Sequence, residues 1–172
     1  RTTTIVRNLL AFARKQTTDK APLDVNAAIK NVLSLRAYQH RVNNIQEVTH
    51  LAENLPPVIA DSFQLQQALI NIIINAEYFM VEAHGKGTLT VTTAQDEDAV
   101  KISITDDGPG IARKELGHIF DPFFTTKGEE KGTGLGLWIS QGVVERHGGT
   151  IQINSNEKVG TTVNINLPLL RK

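Results

Sequence analysis

Gly132-Thr133-Gly134-Leu135-Gly136-Leu137 stands between a polar run and a helical pattern that continues through Trp138, Ile139, Val143 and Val144 to His147. A chain that passes from loop to helix here leaves its first N–H groups unpaired and aligned, at the positive end of the helix dipole. Such a turn is an anion site, and phosphate is the anion it suits best. Glycine pairs are also ordinary loop punctuation, so a loop without a ligand is the alternative reading of this stretch alone. Its weight comes from what lies upstream.

The 172 residues suffice for one sizeable core and an appendage. Lysine plus arginine equals aspartate plus glutamate at 18 each, which leaves no net field to gather a phosphate backbone, so nucleic acid is disfavoured as a partner. The absence of cysteine excludes disulfides, thiol nucleophiles and zinc–thiolate sites, and leaves the compartment open. The most apolar stretch, Ala68 to Ala76, carries Asn71 and Asn75 and is far too short to span a bilayer, so no membrane contact is expected. The chain opens mid-pattern at Arg1, as an excised fragment does, without a legible signal peptide.

In chain order, Ile5, Val6, Leu9, Leu10 and Phe12 form a one-sided apolar stripe on a helix too short to be stable alone. Gln16 to Lys20, closed by Pro22, reads as a hinge, which divides the chain into an appendage at 1–20 and a domain at 21–172. Asp24 caps a helix with Val25, Ala28, Ile29, Val32, Leu33 and Leu35 inward, ending at Asn43-Asn44. Strands are expected at 45–51 and at Val58-Ile59, on either side of the Pro56-Pro57 break. Asp61 caps the strongest helix, whose Leu65, Ala68, Leu69, Ile72, Ile73 and Ala76 recur at three and four residues and face a sheet. Strands follow at Thr88 to Ala94 and Val100 to Thr105, then a short helical turn, the glycine-opened helix, and strands at Thr150 to Ser155 and Gly160 to Leu167. Strands and helices without a strict βαβ rhythm predict an α+β chain, a two-layer α/β sandwich with one mixed sheet and helices on one face. The other face must be covered or polar.

Three groups of residues carry chemistry. Asn71 and Asn75 lie four apart on one edge of a buried helix, and an asparagine carbonyl is a hard, uncharged oxygen ligand suited to magnesium; hydrogen bonding to a neighbouring loop is the plainer role. Asp106-Asp107-Gly108-Pro109-Gly110-Ile111 follows a strand directly, which puts a carboxylate at the sheet edge and two glycines where backbone turns or approaches a ligand. That carboxylate would accept from an adenine N6 amino group, whereas guanine presents an oxygen there, a difference of roughly 1–3 kcal/mol. An ordinary Asp-Gly-Pro-Gly turn is the alternative. Phe120-Asp121-Pro122-Phe123-Phe124 sets three aromatics beside the polar run Thr125 to Lys131, a clamp next to a mobile lid, with core packing of Phe120 and Phe123 compatible with that reading; Lys127 in the lid either reaches a terminal phosphate or stays solvated.

The stretches QQALINIIINAEYF, DDGPGI, FDPFF and GTGLGL, in that order, resemble the asparagine, first glycine, phenylalanine and second glycine boxes of the ATP-binding domain of sensor histidine kinases. The opening RTTTIVRNLLAFAR is similar to the end of the second helix of the dimerisation and phosphoacceptor domain in the same proteins. The resemblance implies the Bergerat ATP-binding sandwich, with ATP between the asparagine helix and the lid. It implies that Asn75 holds Mg2+, that Asn71 lies near the phosphates, and that Asp106 reads adenine. Gly108 and Gly110, with Ile111, would admit the base, while Gly132, Thr133, Gly134, Leu135, Gly136 and Leu137 wrap the phosphates. Phe79 and Thr161 stand where the family lines the base.

The implied activity is transfer of the γ-phosphoryl group to a histidine of the phosphoacceptor domain, then relay to a response regulator receiver domain, in the cytoplasm, from a parent that is membrane-anchored or not. The family's acceptor histidine precedes this chain's first residue; none of His40, His50, His84, His118 or His147 has its sequence context, and His118 and His147 read as structural. The gyrase and Hsp90 branch of the fold carries a water-activating glutamate four residues before the magnesium asparagine, where this chain has Asn71, so hydrolysis is expected to be poor. A nucleotide-sensing interaction module is the remaining alternative. No GxxxxGK[ST] run is present, and the glycines do not follow the first strand of a βαβ unit.

Overall fold

The computed structural model describes residues 19–125 and 134–170, so the expected N-terminal helix, most of the hinge, and Lys127, Gly132 and Thr133 lie outside the described residues. A central sheet takes the order β2 (Ile45–His50), β4 (Gly87–Asp96), β5 (Ala99–Asp106), β7 (Gly160–Pro168), β6 (Thr150–Asn156). β2 runs parallel to β4 and every other pair is antiparallel, which makes the sheet mixed as expected. A separate two-stranded ribbon pairs β1 (Ala21–Leu23) with β3 (Val58–Ala60).

One face of the sheet carries helices α1 (Val25–Val42), α2 (Ser62–His84) and α4 (Gly136–Arg146); α3 (Arg113–Leu116) is a single turn. The opposite face is polar. There Ser103 Oγ donates to Asn164 Oδ1 at 2.7 Å and the Thr105 and Thr162 hydroxyls lie 2.9 Å apart, so cross-strand hydrogen bonds and solvent do what a second helical layer would.

α2 forms because Asp61 accepts the Gln64 N–H at 3.0 Å and Gly85 closes the helix with a left-handed cap. Leu65, Ala68, Leu69, Ile72, Ile73 and Ala76 are all buried, as their spacing requires. Each large one contributes roughly 1.5–3 kcal/mol by leaving water. Among the described residues no helix is long and apolar enough to cross a membrane.

Two expectations need correction. Leu35 is 61% exposed, not inward, because Arg36 and His40 take the inward arc of α1 in its second half. Arg36 grips Glu77 of α2 with Nε at 3.0 Å and Nη2 at 2.6 Å, and His40 bonds Glu77 at 2.7 Å and also Glu47 of β2. Pro22 sits inside β1, opposite Ile59, not at the close of a hinge. The two hinge residues described are tethered, the Asp19 N–H to Asp61 Oδ2 at 2.9 Å and Lys20 Nζ to the Arg146 carbonyl at 2.8 Å.

Candidate nucleotide site

The helix-facing side of the sheet is built in cross-strand rows. Thr93, Ile102, Ile165 and Ile151 form one row, and Val91, Ile104, Val163 and Ile153 the next. The row after these is Leu89, Asp106, Thr161 and Ser155, where the apolar surface turns polar. Strand alternation makes this inevitable: Asp106 is two residues beyond Ile104 and must share its face. Ile72, Asn75 and Ala76 of α2, Ile111, and Leu137 of α4 close over these rows to line a cleft with Ile104, Asp106, Ile153, Thr161 and Val163. Its floor is apolar, and the polar side chains of its lining are Asn75, Asp106 and Thr161.

Asp106 Oδ1 accepts the Gly108 N–H at 2.9 Å. Burial pushes its carboxyl up to about 6, helped by the neighbouring charge of Asp107 and opposed by the Gly108 and Thr161 backbone groups. The result is an acceptor whose charge is poorly solvated and which favours a ligand N–H. The loop after it is pinned at both ends. Asp107 Oδ1 accepts the Thr88 N–H at 2.9 Å, and the Lys158 N–H donates to the Pro109 carbonyl at 2.6 Å. A Cβ at Gly160 would lie 2.1 Å from the Asp106 carbonyl oxygen, so only glycine lets β7 pass this close.

Asn71 and Asn75 present their amides one turn apart on α2. The start of α4 lies against Asn71, whose Cβ would be 3.8 Å from a Cβ placed on Gly136. Among the described residues no side-chain hydrogen bond caps α4 at Leu135, and the helix start at Gly136 and Leu137 has the character of an anion site. The Leu135 side chain is 0% exposed, packed with Ala68, Ile139 and Val143 between α2 and α4, so it belongs to the core and is not placed to touch a ligand. Ser140 Oγ adds a buried bond to the Ala68 carbonyl at 3.0 Å.

Just before α4, Gly134 has φ +72°, and a Cβ there would sit 2.2 Å from Phe123 backbone. The Phe123 N–H donates to the Gly134 carbonyl at 2.8 Å. The stem of the segment 124–133 is therefore closed by backbone. The three aromatics expected to act as one clamp part company: Phe120 packs against the main core, Phe123 is 59% exposed with φ +69°, and the Phe124 ring lies tilted 5.9 Å from that of His118.

Of the residues singled out from sequence, Asn75, Asp106, Ile111, Leu137 and Thr161 meet in one cleft, with Gly108 bonded to Asp106 and Asn71 beside Gly136. Gly110 backs onto the β6–β7 turn, where a Cβ would meet the Asn156 carbonyl. Phe79, one turn past Asn75, is outside the lining and stands edge-on to Tyr78, with ring centroids 5.1 Å apart. Sequence reading passed over Asp107, Ile153, Val163 and Ser155. The last was visible in principle, because Ile151, Ile153 and Ser155 alternate on one face.

Residues 60–171 match the family model described as histidine kinase-, DNA gyrase B-, and HSP90-like ATPase. The chain is 39% identical over 166 residues to the sensor histidine kinase ZraS of Escherichia coli K12, which covers 96% of this chain and 34% of ZraS. It is 35% identical over 166 residues to sporulation kinase E of Bacillus subtilis, covering 96% of this chain and 22% of that kinase. The chain thus spans about a third or less of these relatives. Among solved structures, the nucleotide-free catalytic domain of histidine kinase ThkA superposes with a TM-score of 0.77 at 31% identity, covering 88% of this chain and 96% of that one. Full-length ShkA in complex with AMPPNP gives 0.84 at 27% identity, over 98% of this chain and 36% of ShkA. ThkA in complex with the response regulator TrrA gives 0.80 at 28%, over 99% and 48%.

Proposed function

Because the chain belongs to the family of histidine kinase-, DNA gyrase B- and Hsp90-like ATPases, we propose that it is the ATP-binding catalytic domain of a sensor histidine kinase, delivering the γ-phosphoryl group of Mg-ATP to a histidine on a separate phosphoacceptor segment. The observation that carries this reading is the single cleft shared by a partly buried carboxylate, an asparagine amide and the uncapped start of a helix. Residues 21–172 would be the ATP-binding unit, and 1–20 the end of the dimerisation helix and its hinge.

The residues divide the work. Asp106 accepts from the adenine amino group and rejects guanine, whose oxygen would meet its own; the rows of Ile104, Val163 and Ile153 take the flat face of the base. The leading N–H groups of α4, at Gly136 and Leu137, receive phosphate oxygens, and Asn71 lies beside them. Lys127, Gly132 and Thr133 lie outside the described residues, and the family resemblance is what assigns them to the phosphates.

The donor set suits magnesium. No hydrogen bond among the described residues engages the Asn75 side chain, so its carbonyl oxygen is open to a hard cation that takes its other ligands from water and phosphate. When bound, that ion supplies neutralisation of the charge developing on the phosphates. Among the described residues lining the cleft, Asp106 is the only carboxylate, and it belongs to the base side, so none of these lining residues is placed to activate water. Transfer is favoured over hydrolysis. His40 and His147 are buried and bonded within the fold, which removes them as acceptors. A receiver domain of a response regulator is the next partner, by analogy with the ThkA–TrrA complex, and an ATP-consuming step of this kind belongs in the cytoplasm.

The test is to incubate the chain with γ-labelled ATP, magnesium and a separately produced phosphoacceptor domain. Acid-labile, base-stable label on the acceptor is the expected product. Free phosphate in its place would assign an ATPase, and nucleotide binding with neither product would assign a sensing module.

A further inference from the structure

The hydroxyl of Ser155 touches two walls of the cleft at once. Ser155 Oγ accepts the Ile111 N–H at 2.7 Å, donates to the Gly160 carbonyl at 3.1 Å, and lies 2.9 Å from the Thr161 hydroxyl, which donates to it in the one arrangement that satisfies all three contacts. Ile111 ends the glycine loop that follows Asp106, and Thr161 is the cross-strand neighbour of both Asp106 and Ser155. Ile111 and Thr161 both line the cleft, and Ser155 itself does not. Its hydroxyl reaches nothing in the apolar core; every contact goes to the loop or strand that forms a wall.

We propose that Ser155 is a positioning residue for purine recognition: by holding Ile111 and Thr161 at a fixed separation around Asp106, it sets the width of the slot that the base enters. The inference rests on the nucleotide reading of the cleft. Without the hydroxyl, the Ile111 N–H loses its partner and the loop end is left with the Lys158 contact to Pro109 two residues earlier. The slot then accepts a purine less selectively. The binding of the phosphates, made at α4 on the other side, is untouched.

The experiment measures Mg-ATP and Mg-GTP affinity of the wild type, Ser155→Ala and Ser155→Thr, by displacement of a fluorescent ATP analogue. Ser155→Ala should weaken ATP binding about tenfold and GTP binding much less, so that the ATP:GTP preference narrows; Ser155→Thr, which keeps the hydroxyl, should restore it. Equal loss for both nucleotides would mean a merely structural residue, and unchanged ATP affinity would also overturn the proposal. A wild type that binds neither nucleotide would sink the nucleotide reading, and this inference with it. Should Ser155→Ala not fold, hydrogen exchange at the Ile111 amide of the wild type decides: protection deepened by ATP but not by GTP is expected, and an amide indifferent to ATP overturns it.

Discussion

Asp106 is held where its charge is least welcome, and that is measurable without any ligand. Its folded pKa, about 6, lies above the value of 3.8 for an unperturbed carboxyl. The group therefore favours folding most below pH 3.8, and that contribution is lost as pH rises through about 6. Asp106→Asn keeps the acceptor for the Gly108 N–H and never ionises. The empty variant should accordingly be more stable than wild type at pH 8, by on the order of 1–3 kcal/mol, with the difference vanishing toward pH 4. At the same time it should bind ATP at least tenfold more weakly, because its amide hydrogens meet those of adenine. Chemical denaturation at the two pH values and nucleotide titration check the pair; a destabilised variant that binds ATP normally would remove Asp106 from base recognition. Asp106 and Asn75 were legible in sequence because a strand end followed by glycines, and an amide on an apolar helix, are odd enough to need a reason. Glu77 was not. Its burial is made tolerable by Arg36 and His40, 41 and 37 residues away, and only the packing of α1 on α2 brings them together.

Between elements, the start of α2 and the end of α4 are joined at one imidazole. The Asp61 N–H donates to His147 Nε2 at 2.9 Å, and His147 Nδ1 donates to the Val143 carbonyl at 2.7 Å, which fixes a neutral ring. Burial lowers its pKa from 6.5, with Lys20 and Arg146 acting in the same direction and Val143 and Asp61 opposing. A depressed histidine pKa means stability that is complete above pH 6.5 and is lost as pH falls through the lower folded value. Asp106 titrates with the opposite slope, so the two partly cancel in the wild type. In an Asp106→Asn background the melting temperature should therefore fall between pH 7 and pH 5, and adding His147→Gln should flatten that fall. An unchanged slope in the double variant would place the titration elsewhere. The caps at Asp24, Asp61 and Gly85 and the alternating strands were readable in sequence, since each is decided within a few residues. β1 was not, being three residues long with a proline in the middle and dependent on its pairing with β3 and the packing of Leu23 on the core. Leu35 was misread for a related reason: apolar periodicity identifies a stripe, and the Arg36 and His40 contacts decide which edge of it turns inward.

At the scale of the molecule, the mixed sheet and one-sided helices follow from the order of elements, but the parallel pairing of β2 with β4 was visible only in the structure. That architecture places the cleft where three separately stabilised parts meet: the asparagine edge of α2, the polar end of β5 and β7, and the start of α4. A ligand that touches all three binds only the folded state, so its free energy of binding adds to stability. At a nucleotide concentration a hundred times Kd the increment is about 2.7 kcal/mol, which for a chain of this size is a rise of roughly 5–10 °C in melting temperature. Mg-ATP should produce that rise and Mg-GTP much less. Chelating the metal should remove part of the ATP effect, and in Asn75→Ala the magnesium-dependent part should disappear while the magnesium-independent part remains, because the base and the α4 backbone are untouched. Equal shifts for ATP and GTP would mean that the carboxylate does not read the base, and a full magnesium effect in Asn75→Ala would move the metal to other ligands.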